Sequence, residues 1–526
     1  MVERRTDPVR TLSRRTVLSL GALGATGAGV AGALGVQAWW RDATAHPDPG
    51  TARQRPPASV AAWRAGGPPF SIAHRGAGIV LPEHSLEAYR AALGWGATCL
   101  EISVGMTSDG VLICLHDATY DRTTTLSGPV ASQSSTVLEQ GRIDVPRLGP
   151  RWQGDGRPRI PLLEDVLREI GPQAILCLEA KDDNAYEPMM AAAQAHGLGD
   201  RIYAKLHLPA TARVAQARAA NVPIFMYAGT AADLAPARLD PVLAGLDPAR
   251  DVIVLPTVVE DAPIDPRLVS RVVARGVPVW LYPVMRRSEA AHFLSLGAQG
   301  LITPDIGYVS GAAPTARADV WAGGALASGE LTRFPYSAKF GLRWADPAIE
   351  KGVIQLDVPG ESAYLLLGPL CPIAPPEGSY RLEVDYRFDD PSAGDHAFTF
   401  AFGRPDDRYV GPSPQAAATG YRARVRPDGS MRLLADDGSA SGQRTLASAR
   451  GTPHAGWARL AIDVSPDALT IARDGVPVIT STDTTYRGGY VHVGRDGTRG
   501  PVSLRRLQVV SGGSAPLTSG RTGGDR

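Results

Sequence analysis

The chain has 526 residues, 44% of them hydrophobic, enough apolar material for two or more domains with their own cores. Its 54 basic and 53 acidic residues leave a net charge of +1, which excludes a global electrostatic attraction to nucleic acid or anionic membrane. The four cysteines, Cys99, Cys114, Cys177 and Cys371, form no CxxC pair, which excludes a disulfide scaffold and a zinc-ribbon site.

The first element is not part of a fold. "SRRTVLSLGALGATGAGVAGALGVQAWW" (Ser13–Trp40) sets Arg14 and Arg15 before a mildly hydrophobic, Gly/Ala-rich run. This reads as a twin-arginine export signal over residues 1–45, with Ala38 or Ala45 as cleavage points. A membrane-spanning anchor is the alternative, and it is normally richer in Leu, Ile and Phe. The expected location is extracellular or in the cell envelope, with membrane contact only through this segment if it is retained. Export in the folded state keeps the cysteines as buried thiols. Residues 46–66, rich in Pro, Ala and Arg, read as a linker.

From 67 to 312, short apolar runs alternate with amphipathic segments. The strands are expected at 71–74, 99–103, 174–181, 201–206, 222–227, 251–256, 277–282 and 300–303, with "VLICLHD" (111–117) as an additional strand. Between them, "SLEAYRAALGWG" carries Ser85 as a cap and Leu86, Tyr89 and Leu93 on one face, with Gly94 closing the helix. Near-continuous apolar strands separated by such helices imply a buried parallel sheet, and eight units match a (β/α)8 TIM barrel. A doubly wound open sheet is the rival.

Residues 313–330 read as a second linker, and the texture then changes. "SYRLEVDYRF" alternates apolar and polar positions, and "YRARVRPDGSMRLLAD" and "LTIARDGVPVIT" are strand pairs around Asp-Gly turns. Residues 331–511 therefore read as an all-β sandwich of jelly-roll type. The last stretch, 512–526, reads as a disordered tail.

Two of the ten histidines, His74 and His116, close apolar runs and are each followed by a charged residue. Alternation along strands puts Glu101 and Ser103 on one face, and Glu179 and Lys181 on one face. All lie at C-terminal strand ends, where barrel active sites form, so His74, Glu101 and Glu179 are expected to converge, joined by His116. Two facing carboxylates need a proton or a cation between them, and hard ions such as Ca2+ or Mg2+ suit oxygen ligands. With Arg75 and Lys181 to hold an anion and two histidines for proton transfer, the set describes phosphate-ester hydrolysis. A buried salt network of the same residues is the competing reading. Cys99 and Cys177, two residues before the glutamates, are core fillers or a disulfide, with core filling favoured.

The stretch "HRGAGIVLPEHSLEAYRAALGWGATCLEISVGMTSDGVLICLHDATYDRTT", followed by "LEAK", "VPVWLY" and "GAQGLITPD", resembles the glycerophosphodiester phosphodiesterase family. The resemblance implies a TIM barrel that releases an alcohol and glycerol 3-phosphate from glycerophosphodiesters. It implies His74 and His116 as the acid–base pair, Arg75 and Lys181 on the phosphate, and Trp280 at the substrate mouth. Glu101 and Glu179 would bind a divalent cation, with Ser103 at a metal position where the family normally carries Asp. Glu83 orders the site or is merely a helix N-terminal acid. Lys205 also departs from the pattern; pointing inward, it would bind phosphate and take over part of the cation's work. A weakened barrel that only binds phosphodiesters therefore stands beside the enzyme reading. The C-terminal region is similar to concanavalin-like and laminin-G-like sandwiches, which makes a glycan an expected partner; a structural lid or a protein-docking module are the other readings.

Overall fold

The computed structural model describes residues 56–208, 210–311, 321–332, 341–358, 360–367, 379–410, 419–439 and 442–511. The export segment, Cys371 and the C-terminal tail lie outside the described residues. No helix among the described residues is long and apolar enough to cross a membrane.

Eight parallel strands, Phe70–Ala73, Cys99–Met106, Ile175–Ala180, Ile202–His207, Ile224–Tyr227, Val252–Pro256, Val279–Tyr282 and Gly300–Thr303, pair in chain order. The last pairs with the first through Phe70 and Gly300, and the first with the second through Ala73 and Leu100, so the sheet closes into a barrel. The open-sheet alternative is thereby excluded. The additional strand, Leu112–Cys114, runs antiparallel to the second, with Cys114 opposite Val104.

Period-2 alternation fills the barrel in layers. Phe70, Ile72, Cys99, Cys177, Tyr203, Phe225 and Trp280 are buried together inside it. Cys99 and Cys177 are free thiols with sulfurs 3.5 Å apart, so they serve as core fillers. Trp280 is fully buried, and Gly300 makes room for it, because a Cβ there would lie 2.3 Å from the indole. The expectation that Trp280 stands at the substrate mouth is therefore wrong: it is a core side chain one pleat repeat below the rim.

The expected linker at 46–66 contains a helix, Val60–Ala65, whose cap Ser59 accepts from the Ala62 amide. Trp63 on this helix lies against Phe70 (ring centroids 4.7 Å) and Trp280 (5.8 Å), and its Nε1–H donates to Thr98 Oγ1 at 2.9 Å. It stoppers the barrel at the end opposite the site.

The C-terminal region is two seven-stranded antiparallel sheets among the described residues. Asp474 and Gly475, both at positive φ, make the turn between Leu469–Arg473 and Val476–Ser481. Phe398, Phe400 and Phe402 from one sheet and Leu382, Val384 and Tyr386 from the other share one core. That core continues into the long connection of the barrel through Leu115, Tyr120, Val145 and Trp152. Trp344 Nε1–H donates to Arg147 O at 3.1 Å, and Asp407 accepts the Arg287 and Ser288 amides at the start of helix Arg287–Ser295. The second expected linker, 313–330, is packed in its described part: Trp321 is fully buried, and Ser328 and Gly329 donate to Asp305.

Glu330 is buried at this junction, with Oε2 accepting from the Ala327 amide at 3.0 Å. Burial pushes its carboxyl up to about 8; the amide opposes this and the Asp305 charge adds to it. An acid raised on folding contributes stability below its unfolded value of about 4.5, and that stability is lost as pH rises toward 8. Glu330→Gln is therefore expected to melt with the wild type at pH 4 and several degrees above it at pH 8.5, measured by calorimetry.

Candidate active site

The site begins where the first strand ends. His74 continues the inner face of Phe70 and Ile72, its amide bonded to Thr303 O at 2.9 Å. The chain then turns sharply, with Arg75 at φ 55° and Gly76 at φ 85°. A Cβ on Gly76 would stand 2.8 Å from that of Ala88, so only glycine fits. The turn brings Glu83 beneath Arg75, whose Nη1–H donates to Glu83 Oε1 at 2.9 Å. Ser85 caps helix Leu86–Gly94 by accepting from the Ala88 amide, as expected. His84 is a structural residue, its Nδ1 2.7 Å from Tyr89 OH.

His116 follows the antiparallel strand. Its Nδ1 lies 2.7 Å from Asp117 Oδ1, and Arg122 bonds both Asp117 and Glu83. A continuous chain thus runs from Arg75 through Glu83, Arg122 and Asp117 to His116. Asp117 and Arg122 were not anticipated as site residues, although they stand in the quoted "HDATYDRTT". Glu83 orders the site and is not a free helix-terminal acid. Its burial would raise its pKa, but Arg75 and Arg122 hold it well below the usual carboxylate range.

The upper barrel layer supplies the rest. Ser103 stands beside Glu179 in the strand register, and its hydroxyl donates to Glu179 Oε2 at 3.0 Å. Lys181 Nζ lies 2.8 Å from Glu179 Oε1. Lys205 Nζ sits between the two glutamates, 3.1 Å from Glu101 Oε1 and 2.9 Å from Glu179 Oε2. His207, at the end of the same strand, places Nε2 2.6 Å from Glu179 Oε1. It was missed because the expected strand stopped at residue 206. Tyr282, two residues after Trp280, is the aromatic group at the rim, its ring 4.7 Å from that of His74.

His74 is buried, with Nε2 3.5 Å from Glu101. Burial, then the Arg75 and Lys205 charges, hold its pKa well below the ordinary value, so the ring is neutral near pH 7. His116 is less buried; desolvation lowers its pKa, the Asp117 bond raises it, and Arg75 and Lys181 lower it again. Among the neighbouring charges, Arg75 acts on both rings, Lys205 on His74 and Lys181 on His116. A cavity of about 440 Å³ meets the site at Lys205 and His207 and extends past Asp183 and Arg213.

The donor set tests poorly for a divalent cation. Both Glu101 oxygens are buried and accept no hydrogen bond, as an absent cation would leave them. Against that, the Lys205 ammonium occupies the space between the carboxylates, and Ser103 gives its proton to Glu179. Ca2+ takes six to eight oxygens and Mg2+ an octahedron, and a dication about 4 Å from an ammonium is repelled by roughly 8 kcal/mol at an effective dielectric of 20. Among the described residues, no group of three or more His, Cys, Asp or Glu side chains is disposed to hold a metal. The expected Ca2+ or Mg2+ site at Glu101, Ser103 and Glu179 does not fit the geometry. The two glutamates converge as expected, but around lysine.

Residues 74–308 match the model of the glycerophosphoryl diester phosphodiesterase family. The chain is 32% identical over 143 residues to a glycerophosphodiester phosphodiesterase of Bacillus subtilis, covering 24% of this chain and 47% of that protein. It is 41% identical over 90 residues to a probable glycerophosphodiester phosphodiesterase 1 of Mycobacterium tuberculosis, covering 17% and 32%. The matched segments span less than half the length of these curated relatives. Among solved structures, an Oleispira antarctica phosphodiesterase in complex with the product sn-glycerol-3-phosphate aligns at TM-score 0.38 and 20% identity, covering 47% of this chain and 96% of that one. A carbohydrate binding module from Bacillus subtilis aligns at TM-score 0.24 and 16% identity, covering 32% and 94%. With His74 through Tyr308 matched in one stretch, the barrel domain of this chain belongs to the glycerophosphoryl diester phosphodiesterase family.

Proposed function

We propose that the barrel hydrolyses glycerophosphodiesters to an alcohol and glycerol 3-phosphate, with His74 and His116 as the proton-transfer pair. What supports this reading is the contrast between the two histidines, each within reach of the Arg75 charge. His74 lies neutral in the core, and His116 is braced by Asp117 through Nδ1. In this reading Lys181, Arg75 and Lys205 hold the phosphate oxygens. His74 takes the proton of the attacking hydroxyl as its oxygen bonds to phosphorus. The bond to the alcohol oxygen breaks, and His116 Nε2–H delivers the proton that the departing alkoxide needs. The bound phosphate anion draws the His116 pKa upward, which supplies the protonated ring. The nucleophile is water, which gives glycerol 3-phosphate directly, or the neighbouring glycerol hydroxyl, which gives a cyclic phosphate that a second attack, by water, opens to glycerol 3-phosphate.

The test is release of glycerol 3-phosphate from glycerophosphocholine by the purified protein. Release by the wild type that is absent from His74→Ala is the expected outcome; saturable binding without release would leave a binding protein. The Arg14-Arg15 segment supports export through the twin-arginine route, checked by whether Arg14→Lys/Arg15→Lys retains the protein in the cytoplasm. For the sandwich we propose glycan binding on the strength of its all-β architecture, to be read by retention of the full chain on purified cell-wall polysaccharide.

A further inference from the structure

Resting on the hydrolysis proposed above, we propose that the Lys205 ammonium is the resident cation of this site, so that turnover needs no dissociable divalent ion. Lys205 follows Tyr203 on the inner face of its strand, which lifts its side chain from the barrel core to the rim. It stands 2.9 and 3.1 Å from the two carboxylates, with the rings of Phe225 and Tyr227 each 5.9 Å away. These aromatic faces suit a cation and shut out water.

The charge count explains why Ser103 and Lys205 occur together. Three carboxylates around a divalent ion leave one net negative charge, and two carboxylates around the Lys205 ammonium leave the same, Lys181 beside Glu179 being common to both counts. A carboxylate at position 103 would break that balance, whereas the serine hydroxyl adds a hydrogen bond to Glu179 without adding charge. Each residue makes sense only with the other. An ammonium has three N–H donors. One is bonded to Glu179, one is drawn to Glu101, and the third is left for a phosphate oxygen.

The test uses the full-length protein and has two arms. In the first, calorimetric titration with Mg2+ or Ca2+ is expected to show no saturable binding at millimolar ion, and glycerol 3-phosphate release is expected to change less than twofold in chelator. Stoichiometric binding by the wild type, or activity lost in chelator and restored by metal, overturns the proposal. In the second, Ser103→Asp/Lys205→Ala, confirmed as folded by its melting curve, is expected to gain saturable divalent binding. A folded double variant that still binds no ion overturns it. Lys205→Met should lose at least a hundredfold in turnover, with no rescue by metal; an active Lys205→Met overturns it as well. If the wild type cleaves no diester under any condition, the hydrolysis reading fails while both binding arms still judge the lysine.

Discussion

His74→Ala and His116→Ala are each expected to lower kcat/KM on glycerophosphocholine by about 10²- to 10⁴-fold, the usual worth of a positioned proton-transfer group. The two losses differ in kind, and the leaving group separates them. His74, buried and neutral beside Arg75 and Lys205, is placed to accept a proton from the nucleophile. That demand is the same whatever alcohol departs. His116, held through Nδ1 by Asp117, presents its other nitrogen to the alkoxide. A p-nitrophenolate departs without needing a proton. On the p-nitrophenyl ester of glycerol 3-phosphate, His116→Ala should recover to within about tenfold of the wild type, while His74→Ala should stay at its full loss. Recovery of His74→Ala alone would reverse the roles, and equal recovery of both would remove the pair from the mechanism. Asp117→Asn adds a finer test. It weakens the bond that raises the His116 pKa, so the alkaline limb of the pH–rate profile should move to lower pH.

Much of this site was readable before any coordinates, because the barrel repeats one simple pattern. All eight parallel strands overlap the apolar runs that announced them, with ends shifted by up to three residues, and alternation by two placed Glu101, Ser103, Glu179 and Lys181 on the correct face. What the pattern lacked was height. The family resemblance assigned Trp280 to the substrate mouth, yet the pleat puts it one layer below Tyr282. His207 failed for the same reason, one residue beyond an expected boundary. The Lys205–carboxylate contacts depend on how far each side chain reaches across the barrel, which no spacing along the chain records. The role of the sandwich was also hidden. Its core runs on into the connection that carries His116, so the second domain steadies that connection of the first. Only tertiary packing shows that, because residues such as Arg147 and Trp344 are 197 positions apart.

Glu83→Ala is expected to cost about 3–5 kcal/mol of stability and at least a hundredfold in kcat/KM, the stability figure being that of a buried ion pair losing one partner. Glu83 is buried and is the acceptor for Arg75 on one side and Arg122 on the other. Removing it leaves two guanidinium groups repelling each other around a void. Arg122 then pulls on Asp117 alone, and His116 loses the brace that sets its ring. Arg75, at a strained positive φ, loses the contact that holds its fork toward the rim. The sign of the pH dependence follows from the depressed Glu83 pKa. Such a group stabilises the fold above its unfolded value of about 4.5, and the contribution is lost as pH falls through the folded value. The gap in melting temperature between wild type and Glu83→Ala should therefore be widest near pH 7 and should narrow as pH falls below about 4.5. Glu83→Gln keeps the shape and one acceptor oxygen, so it should recover the part of the stability that comes from packing and lose, like the protonated acid, the part that comes from charge. Its kcat should stay reduced, since a neutral amide cannot hold two cations at once. A fully active Glu83→Gln would show that the chain from Arg75 to His116 needs hydrogen bonds alone, without the charge.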